Sequence, residues 1–132
     1  MEKKKIALMA HLGCEESELV EFVDEGLFSF HTQQYLVMTD EEADVKCKYY
    51  IRESLWAFNS SFLENYCVVP ESVLRCMQSL HEECNEAIYE LVKDRFDDLV
   101  QHAISSDGRG HFMTSYDGEE TEQGEFFIYR MG

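Results

Sequence analysis

The apolar residues of this chain follow two periods, one typical of helices and one typical of strands. The longest helical stripe begins after Thr39, which with Glu42 three positions later has the signature of a capping box. Steps of three and four then connect Ala43, Cys47, Tyr50, Ile51, Leu55, Phe58, Phe62 and Tyr66. This spacing predicts one long amphipathic helix from Thr39 to about Tyr66, with Trp56 at the edge of its apolar face and favoured as part of the core.

A second helical pattern follows Pro70, the only proline, which suits the first turn of a helix. Its apolar positions are Val73, Met77, Leu80, Cys84, Ala87 or Ile88, and Leu91, followed after a phase shift by Phe96, Leu99, Val100, Ala103 and Ile104. We expect one long helix over 71–105, or two with a joint at 92–95, packed antiparallel on the first helix. Such a seam could also form a homodimer, although intramolecular packing is favoured.

Two segments near the start of the chain have weaker patterns. Residues 4–13 predict a short helix that Gly13 ends, with His11 near its C-terminus as a cap rather than a metal ligand. Residues 15–25 are dense in acids, and their pattern leaves open a short helix or an irregular acidic loop.

Strand-like alternation predicts two hairpins. Residues 27–31 and 35–38 alternate with a period of two around a three-residue turn, which places His31 toward solvent. Residues 119–123 and 126–130 are predicted to pair across Gly124 and Glu125. The sequence therefore predicts an α+β fold, a single globular domain over 1–132, in which two or three long antiparallel helices pack on a small antiparallel sheet of two hairpins.

The composition is that of a folded protein with a strongly acidic surface. Hydrophobic residues make up 45% of the 132 positions, whereas 27 Asp and Glu oppose 11 Lys and Arg, for a formal net charge of −16. Such a surface repels phosphate, which disfavours direct nucleic-acid binding and favours a basic partner, including a nucleic-acid-binding protein. A purely solubilising role for the charge is the alternative.

The cysteine pattern and the hydropathy predict a protein of the cytoplasm. Five cysteines without a CxxC pair favour a reducing compartment over a disulfide framework. No signal peptide and no apolar run long enough to span a membrane is present in the sequence, so no membrane association is expected.

One candidate for partner binding is a row of acids opposite the apolar seam of the 71–105 region. The row consists of Glu82, Glu83, Glu86, Glu90, Asp94, Asp97 and Asp98. A row of carboxylates of this kind is ordinarily a solvated helix face. It can also imitate a phosphate backbone and attract a nucleic-acid-binding protein.

A second candidate is the glycine-rich stretch from Ser106 to Glu120, where Arg109 lies between two glycines. Glycines let a ligand approach the backbone, and a guanidinium recognises carboxylate or phosphate. Asp107, His111 and His102 could provide acid–base groups nearby, which defines a candidate ligand loop of Asp107, Arg109, His111 and His102. The alternative is a structural turn in which Arg109 pairs with one of the many carboxylates, followed at 111–115 by a short strand or irregular chain.

No metal or cofactor is predicted. The sequence DGRG has neither the spacing of a phosphate-binding loop nor that of a dinucleotide fingerprint. His81 and Cys84 have the spacing of two metal ligands, but no second pair accompanies them. Cys14 precedes two glutamates, which should raise its pKa and keep the thiol unreactive.

Several motifs in combination resemble a family of small acidic proteins encoded by bacteriophages and prophages. They are YLVMTDEEAD at 35–44, SLWAFN at 54–59, DGRGHF at 107–112, SYDGEE at 115–120 and YR at 129–130. The resemblance covers most of the chain from residue 27 and carries over no catalytic residue. It implies an accessory phage protein in the bacterial cytoplasm, a class that often inhibits host defence or DNA-handling machinery, as anti-CRISPR and anti-restriction factors do.

Three functions follow as hypotheses. The leading one is a non-enzymatic phage accessory protein that binds and inhibits a basic host defence or DNA-handling protein through its acidic surfaces. A small enzyme or ligand-binding domain with its site in the 107–111 loop is the second, and a phage structural or assembly accessory is the third.

Overall fold

A computed structural model of the chain, which describes residues 2–22 and 26–132, shows an α+β fold and confirms the predicted class. The strands are β1 Leu19–Glu21, β2 Leu27–Phe30, β3 Gln33–Thr39, β4 Thr121–Gln123 and β5 Phe126–Arg130. The helices are α1 Lys3–Leu12, α2 Asp40–Glu53, α3 Ser60–Glu64, α4 Glu71–Gln78, α5 Asn85–Val92, α6 Phe96–Asp107 and α7 Arg109–Met113. Short 3-10 turns lie at Glu16–Glu18, Leu55–Ala57, His81–Cys84 and Lys93–Arg95.

The chain groups into two compact units. Residues 1–47 and 109–132 form one, the sheet unit, and residues 48–108 form the other, the helical unit. The prediction of a single domain over 1–132 stays a prediction.

The sheet unit is built on a five-stranded antiparallel sheet in the order β1-β2-β3-β5-β4. Hairpins form at both predicted places, but the first turns through residues 31 and 32 rather than 32–34, and the second begins at Thr121 rather than at 119. Strand β5 also pairs with β3, with Val37 opposite Ile128. Residues 35–38 are buried without interruption, because apolar side chains of β3 point into both faces of the sheet. The short outer strands β1 and β4 carry acids, which protects the sheet edges from pairing with another chain.

Helix α1 covers one face of this sheet. Ala7 and Leu8 pack with Phe28, Val37 and Ile128, among other residues of one apolar cluster. The predicted stop is confirmed, since Gly13 has a left-handed backbone with φ 65° and donates its N–H to the Met9 carbonyl at 2.8 Å. Glycine adopts this conformation without the steric cost of a Cβ atom.

The start of α2 is also confirmed. The N–H of Thr39 donates to Glu42 Oε1 at 3.0 Å, and the N–H of Glu42 donates to Thr39 Oγ1 at 3.2 Å, which completes the capping box. Lys4 of α1, almost fully buried, adds an ion pair to Glu42 at 2.9 Å. The backbone bond from Thr39 lowers the pKa of Glu42 most strongly, with the bond from Lys4 assisting.

The prediction of long helices is wrong, because both predicted segments are broken into shorter pieces. Helix α2 ends at Glu53, where the Ser54 hydroxyl donates to the Tyr50 carbonyl at 2.6 Å. Asn59 then caps α3, since its side chain accepts the N–H of Ser61 at 2.9 Å. The polar side chains of Ser54 and Asn59 thus satisfy backbone groups that a continuous helix would have bonded internally.

The second predicted helix is divided into α4, α5 and α6. The joint expected at 92–95 is present as a 3-10 turn at Lys93–Arg95. A further break precedes α5, where His81 has a left-handed backbone with φ 56° that a helix cannot contain. The seam is correspondingly incomplete. Leu74, Ile88 and Val92 are buried, whereas Val73 and Leu80 are exposed.

Asn85, the first residue of α5, connects this helix to the backbone of Arg52 in α2 and of Trp56 in the turn that follows. It is buried, accepts the backbone N–H of Trp56 at 3.1 Å and donates to the Arg52 carbonyl at 3.0 Å. Trp56 itself is half-buried and meets the ring of His81 edge-on at 6.3 Å between centroids.

Two weaker segments also differ from their predictions. Residues 15–22 contain a 3-10 turn and the edge strand β1, and the remainder of the predicted acidic segment, residues 23–25, lies outside the described residues. Residues 109–113 form the short helix α7, so the expected strand or irregular chain at 111–115 is wrong for 111–113, whereas 114 and 115 are irregular. Gly110 permits this helix, since a Cβ at that position would lie 2.5 Å from the carbonyl oxygen of Gly118.

Candidate functional site

The guanidinium of Arg109, at the start of α7, is enclosed by carboxylates of its own unit. Nε donates to Glu120 Oε2 at 2.8 Å, and Nη1 donates to Asp40 Oδ1 and to Asp44 Oδ1, both at 2.9 Å. Nη1 also donates to the Asp40 carbonyl at 3.1 Å, and the guanidinium lies over the ring of Phe127 at 4.6 Å. Only 9% of the Arg109 side chain is exposed. Arg109 therefore ties the first turn of α2 to the terminal hairpin.

Glu120 is shared between two donors. Its Oε2 accepts from Arg109 and also from the hydroxyl of Tyr129, which is fully buried. Burial is the main reason that the pKa of Tyr129 is raised, and its hydrogen bond to Glu120 adds to it. Burial works against the charge of Arg109, but the hydrogen bonds to Glu120, Asp44 and Asp40 outweigh it and raise the pKa of Arg109. Tyr129 is consequently a neutral donor and Arg109 a permanent cation at physiological pH.

This arrangement leaves Arg109 little capacity for a ligand. A phosphate or carboxylate ligand would have to displace acids that already bind the guanidinium, and its own negative charge would be repelled by them. The contacts match the structural alternative considered for the loop, in which Arg109 pairs with carboxylates.

The other members of the candidate loop are distributed over both units. His111 shares the sheet unit with Arg109, is exposed and packs edge-on against Phe112 at 4.9 Å between ring centroids. His102 and Asp107 belong to the helical unit, where His102 hydrogen-bonds the hydroxyl of Tyr66 and Asp107 is exposed at the end of α6. Arg109 and His111 therefore lie in one unit, and His102 and Asp107 in the other.

The acidic row lies on the exposed surface of the helical unit, but its members differ in how they are compensated. All seven are exposed. Four of them bind a basic side chain of the same unit, namely Glu86 to Arg52, Glu90 to Lys93, Asp97 to Lys48 and Asp98 to Arg95. Within the described part of the chain, Glu82, Glu83 and Asp94 form no ion pair.

The pair between Arg52 and Glu86 is the most specific of these contacts. Two guanidinium nitrogens meet the two carboxylate oxygens at 2.7 and 2.9 Å, and the guanidinium lies over the Tyr89 ring at 4.0 Å. The hydrogen bond from Arg52 lowers the pKa of Glu86. Glu86 therefore helps to fix α2 to α5, in addition to whatever it contributes to the surface charge.

All basic side chains of the helical unit are in fact used internally. Besides the four cations already named, Arg75 pairs with Glu71 at 3.3 Å on α4. Among the described residues of this unit, the acids without an ion pair are Glu64, Glu82, Glu83, Asp94 and Asp107, and Asp94 still acts electrostatically on Lys93. Within the acidic row, Glu82 and Glu83 are adjacent acids without a cation partner, which the sequence pattern alone does not distinguish from their neighbours.

The cysteines have no metal-binding arrangement. Across residues 2–22 and 26–132, no three His, Cys, Asp or Glu side chains converge in a way that could hold a metal ion. Cys84 donates its thiol hydrogen to the carbonyl of His81 at 3.1 Å. Burial, with the charges of Glu18 and Glu15, raises the pKa of Cys14, as the sequence predicts.

Comparison of the chain with protein-family models, with curated proteins and with solved structures found no match. None of the helices in the described part of the chain has the length and apolar character that crossing a bilayer requires. A functional assignment therefore depends on the side chains of this chain itself.

Proposed function

We propose that the protein is a non-enzymatic binding protein whose acidic surface on the helical unit engages a basic protein. One observation carries the proposal. Every Lys and Arg of the helical unit is paired inside that unit, whereas the adjacent, exposed Glu82 and Glu83 form no ion pair within the described part of the chain. Uncompensated carboxylates attract a cationic surface and increase the rate at which it associates.

The biological setting of the proposal comes from the resemblance to small acidic phage proteins. Under it, the partner is a basic host defence or DNA-handling protein in the bacterial cytoplasm, and the acidic surface occupies the groove that normally binds nucleic acid. The net charge of −16 supports a partner of this kind, because it opposes direct binding to nucleic acid.

The test is capture of bacterial proteins on the immobilised chain, followed by binding measurements with each purified partner. Affinity should fall steeply between about 0.1 M and about 1 M salt, over which the Debye length shrinks from ~10 Å to ~3 Å. The variant Glu82→Lys/Glu83→Lys should abolish binding. The control Glu122→Lys/Glu125→Lys changes the net charge equally at exposed positions of the sheet unit and should retain most of it.

The choice of Glu82 and Glu83 avoids a structural complication. Charge reversal at Glu86 or Glu90 would also break an ion pair within the helical unit, so a loss of binding there would not distinguish recognition from misfolding. Salt-independent binding, or equal losses in both double variants, would refute the proposal.

A further inference from the structure

Helix α4 uses only part of its apolar surface for the core of the helical unit. Leu74 is fully buried and Met77 is partly buried, whereas Val73, Cys76 and Leu80 are exposed. Val73 and Cys76 are three residues apart on α4 and share one side of the helix, and Leu80 follows in the turn just after the helix ends at Gln78. We call this set the α4 outer face.

The exposure is large for apolar side chains. Val73 keeps 45% of its surface accessible and Leu80 keeps 58%, and Val68, in the turn before α4, is 99% exposed. Single exposed apolar residues are ordinary, but several within one helix and the turns that flank it are typical of an interaction surface.

Two carboxylates without an ion pair lie close to this face in the chain. Glu82 and Glu83 follow Leu80 after one residue, in the 3-10 turn at His81–Cys84, and both are exposed. An apolar strip bordered by free negative charge is complementary to a positively charged segment that carries apolar side chains.

We propose that the α4 outer face, with Glu82 and Glu83, is the docking site for a basic amphipathic segment of the partner protein. Large apolar side chains of that segment pack on Val73 and Leu80, and its Lys or Arg side chains bind the two carboxylates. The proposal rests on the proposed function, since it specifies where the basic partner is held.

Charge selects this occupant over a second copy of the chain. Two copies meeting through α4 in a two-fold contact would bring Glu82 and Glu83 of both chains into the same interface. Each chain also carries a formal charge of −16, so the repulsion extends beyond the contact. A cationic segment would instead be attracted by the same negative charges.

Trp56 provides the readout, because it is the only tryptophan and lies against the ring of His81, between Leu80 and Glu82 in the chain. The probe is a synthetic helical peptide of Lys and Leu without tryptophan, and its matched partner has Ser in place of every Leu. Titration should change the Trp56 emission, and the Lys–Leu peptide should bind at least about tenfold more tightly than the Lys–Ser peptide, which lacks the apolar anchors.

Variants separate the apolar and the charged contributions. Val73→Ser/Leu80→Ser should weaken the Lys–Leu peptide by about tenfold, with unchanged circular dichroism because both side chains are exposed. Val45→Ser, at an even more exposed apolar site in the sheet unit, should have no effect. Glu82→Gln/Glu83→Gln should weaken binding and reduce its salt dependence, whereas Glu122→Gln/Glu125→Gln should not.

The outcomes distinguish the two proposals. If Val73→Ser/Leu80→Ser binds normally while Glu82→Gln/Glu83→Gln does not, the docking site is overturned and the acidic-surface function stands. If neither peptide binds the wild-type protein, both proposals fall. A wild-type dimer that Val73→Ser/Leu80→Ser converts to a monomer would assign the face to a second copy and overturn the docking site.

Discussion

Replacement of Arg109 by alanine tests whether this residue serves the fold or a ligand. The substitution removes the cation that joins α7, the start of α2 and the terminal hairpin through Glu120, Asp40 and Asp44. If the guanidinium is structural, its loss should appear as a loss of stability. A ligand-binding role would instead leave the stability unchanged and remove an affinity.

The expected loss of stability in Arg109→Ala depends on how far each of its carboxylate partners is buried. Asp40 and Asp44 keep 61% of their side chains exposed, so their pairs contribute little, and the helix dipole also stabilises Asp40 in the first turn of α2. Glu120 is 26% exposed and would retain only its bond from Tyr129. Breaking a fully buried pair costs about 3–5 kcal/mol, and a partly buried one less. Adding the stacking on Phe127, about 0.5–1 kcal/mol, we expect a total of about 2–3 kcal/mol.

The assay is urea unfolding followed by circular dichroism. With a slope of about 2 kcal/mol per molar urea, the midpoint should fall by about 1–1.5 M. Arg109→Lys should give an intermediate loss, since lysine keeps the charge but not the planar fork. Arg75→Ala is the matched control, because it removes an exposed i,i+4 pair with Glu71 and should not shift the midpoint measurably. An unchanged midpoint for Arg109→Ala would refute the structural role and return Arg109 to consideration as a ligand-binding residue.

Three further substitutions or conditions have defined outcomes. Gly110→Ala should destabilise the protein by about 1–3 kcal/mol in a thermal melt, because its Cβ would meet backbone atoms of the 118–120 segment. Asn85→Ala should cost about 2–3 kcal/mol by urea unfolding monitored at Trp56, since two backbone partners lose their hydrogen bonds. Burial raises the pKa of Cys47 from 9.0 to about 11, so the folded protein keeps the thiol proton at a pH where the unfolded chain loses it. The free energy of unfolding should therefore decrease as the pH rises above 9, and Cys47→Ala should show a smaller decrease.

The strands were the most predictable part of the fold, for a physical reason. A period of two is seldom produced by anything except a pleated strand, and the turn lengths matched hairpins. The alternation assigned to 35–38 does not describe the environment of β3, since all four of these apolar residues are buried and the strand is covered on both faces. The pairing of β5 with β3 could not be obtained from local patterns, since it joins segments far apart in the chain.

The helices predicted from the sequence are too long because a 3-10 turn preserves the spacing of apolar residues on which the prediction relies. Its three-residue period keeps apolar residues on one side, so the stripe continues through the turn at 55–57 as though the helix did. The breaks depend instead on side-chain bonds, such as that of Ser54 to the Tyr50 carbonyl, and on the backbone of His81. Serine and histidine occur often enough inside helices that neither residue marks a break by itself.

The contacts of Arg109 likewise could not be predicted from local sequence patterns. The sequence indicated that Arg109 would find a carboxylate among many, but Asp40 and Asp44 are 69 and 65 positions away, and only Glu120 is near in the chain. Ion pairing likewise divides the acidic row, since Glu86 and Glu82 are equivalent in the helical pattern and differ only in whether a cation of another helix reaches them. Such differences are set by tertiary packing.

The proposed binding role for the acidic charge and a purely solubilising one make different demands on the surface of the helical unit. Net charge alone would suffice for solubility, and exposed apolar side chains work against it. Yet Val73 and Leu80 are exposed beside Glu82 and Glu83, while the cations that could have neutralised these carboxylates bind acids elsewhere in the unit. Solubility explains the carboxylates but leaves the apolar face unexplained, whereas a basic amphipathic partner accounts for both. The combination therefore favours recognition over solubility as the role of the acidic surface.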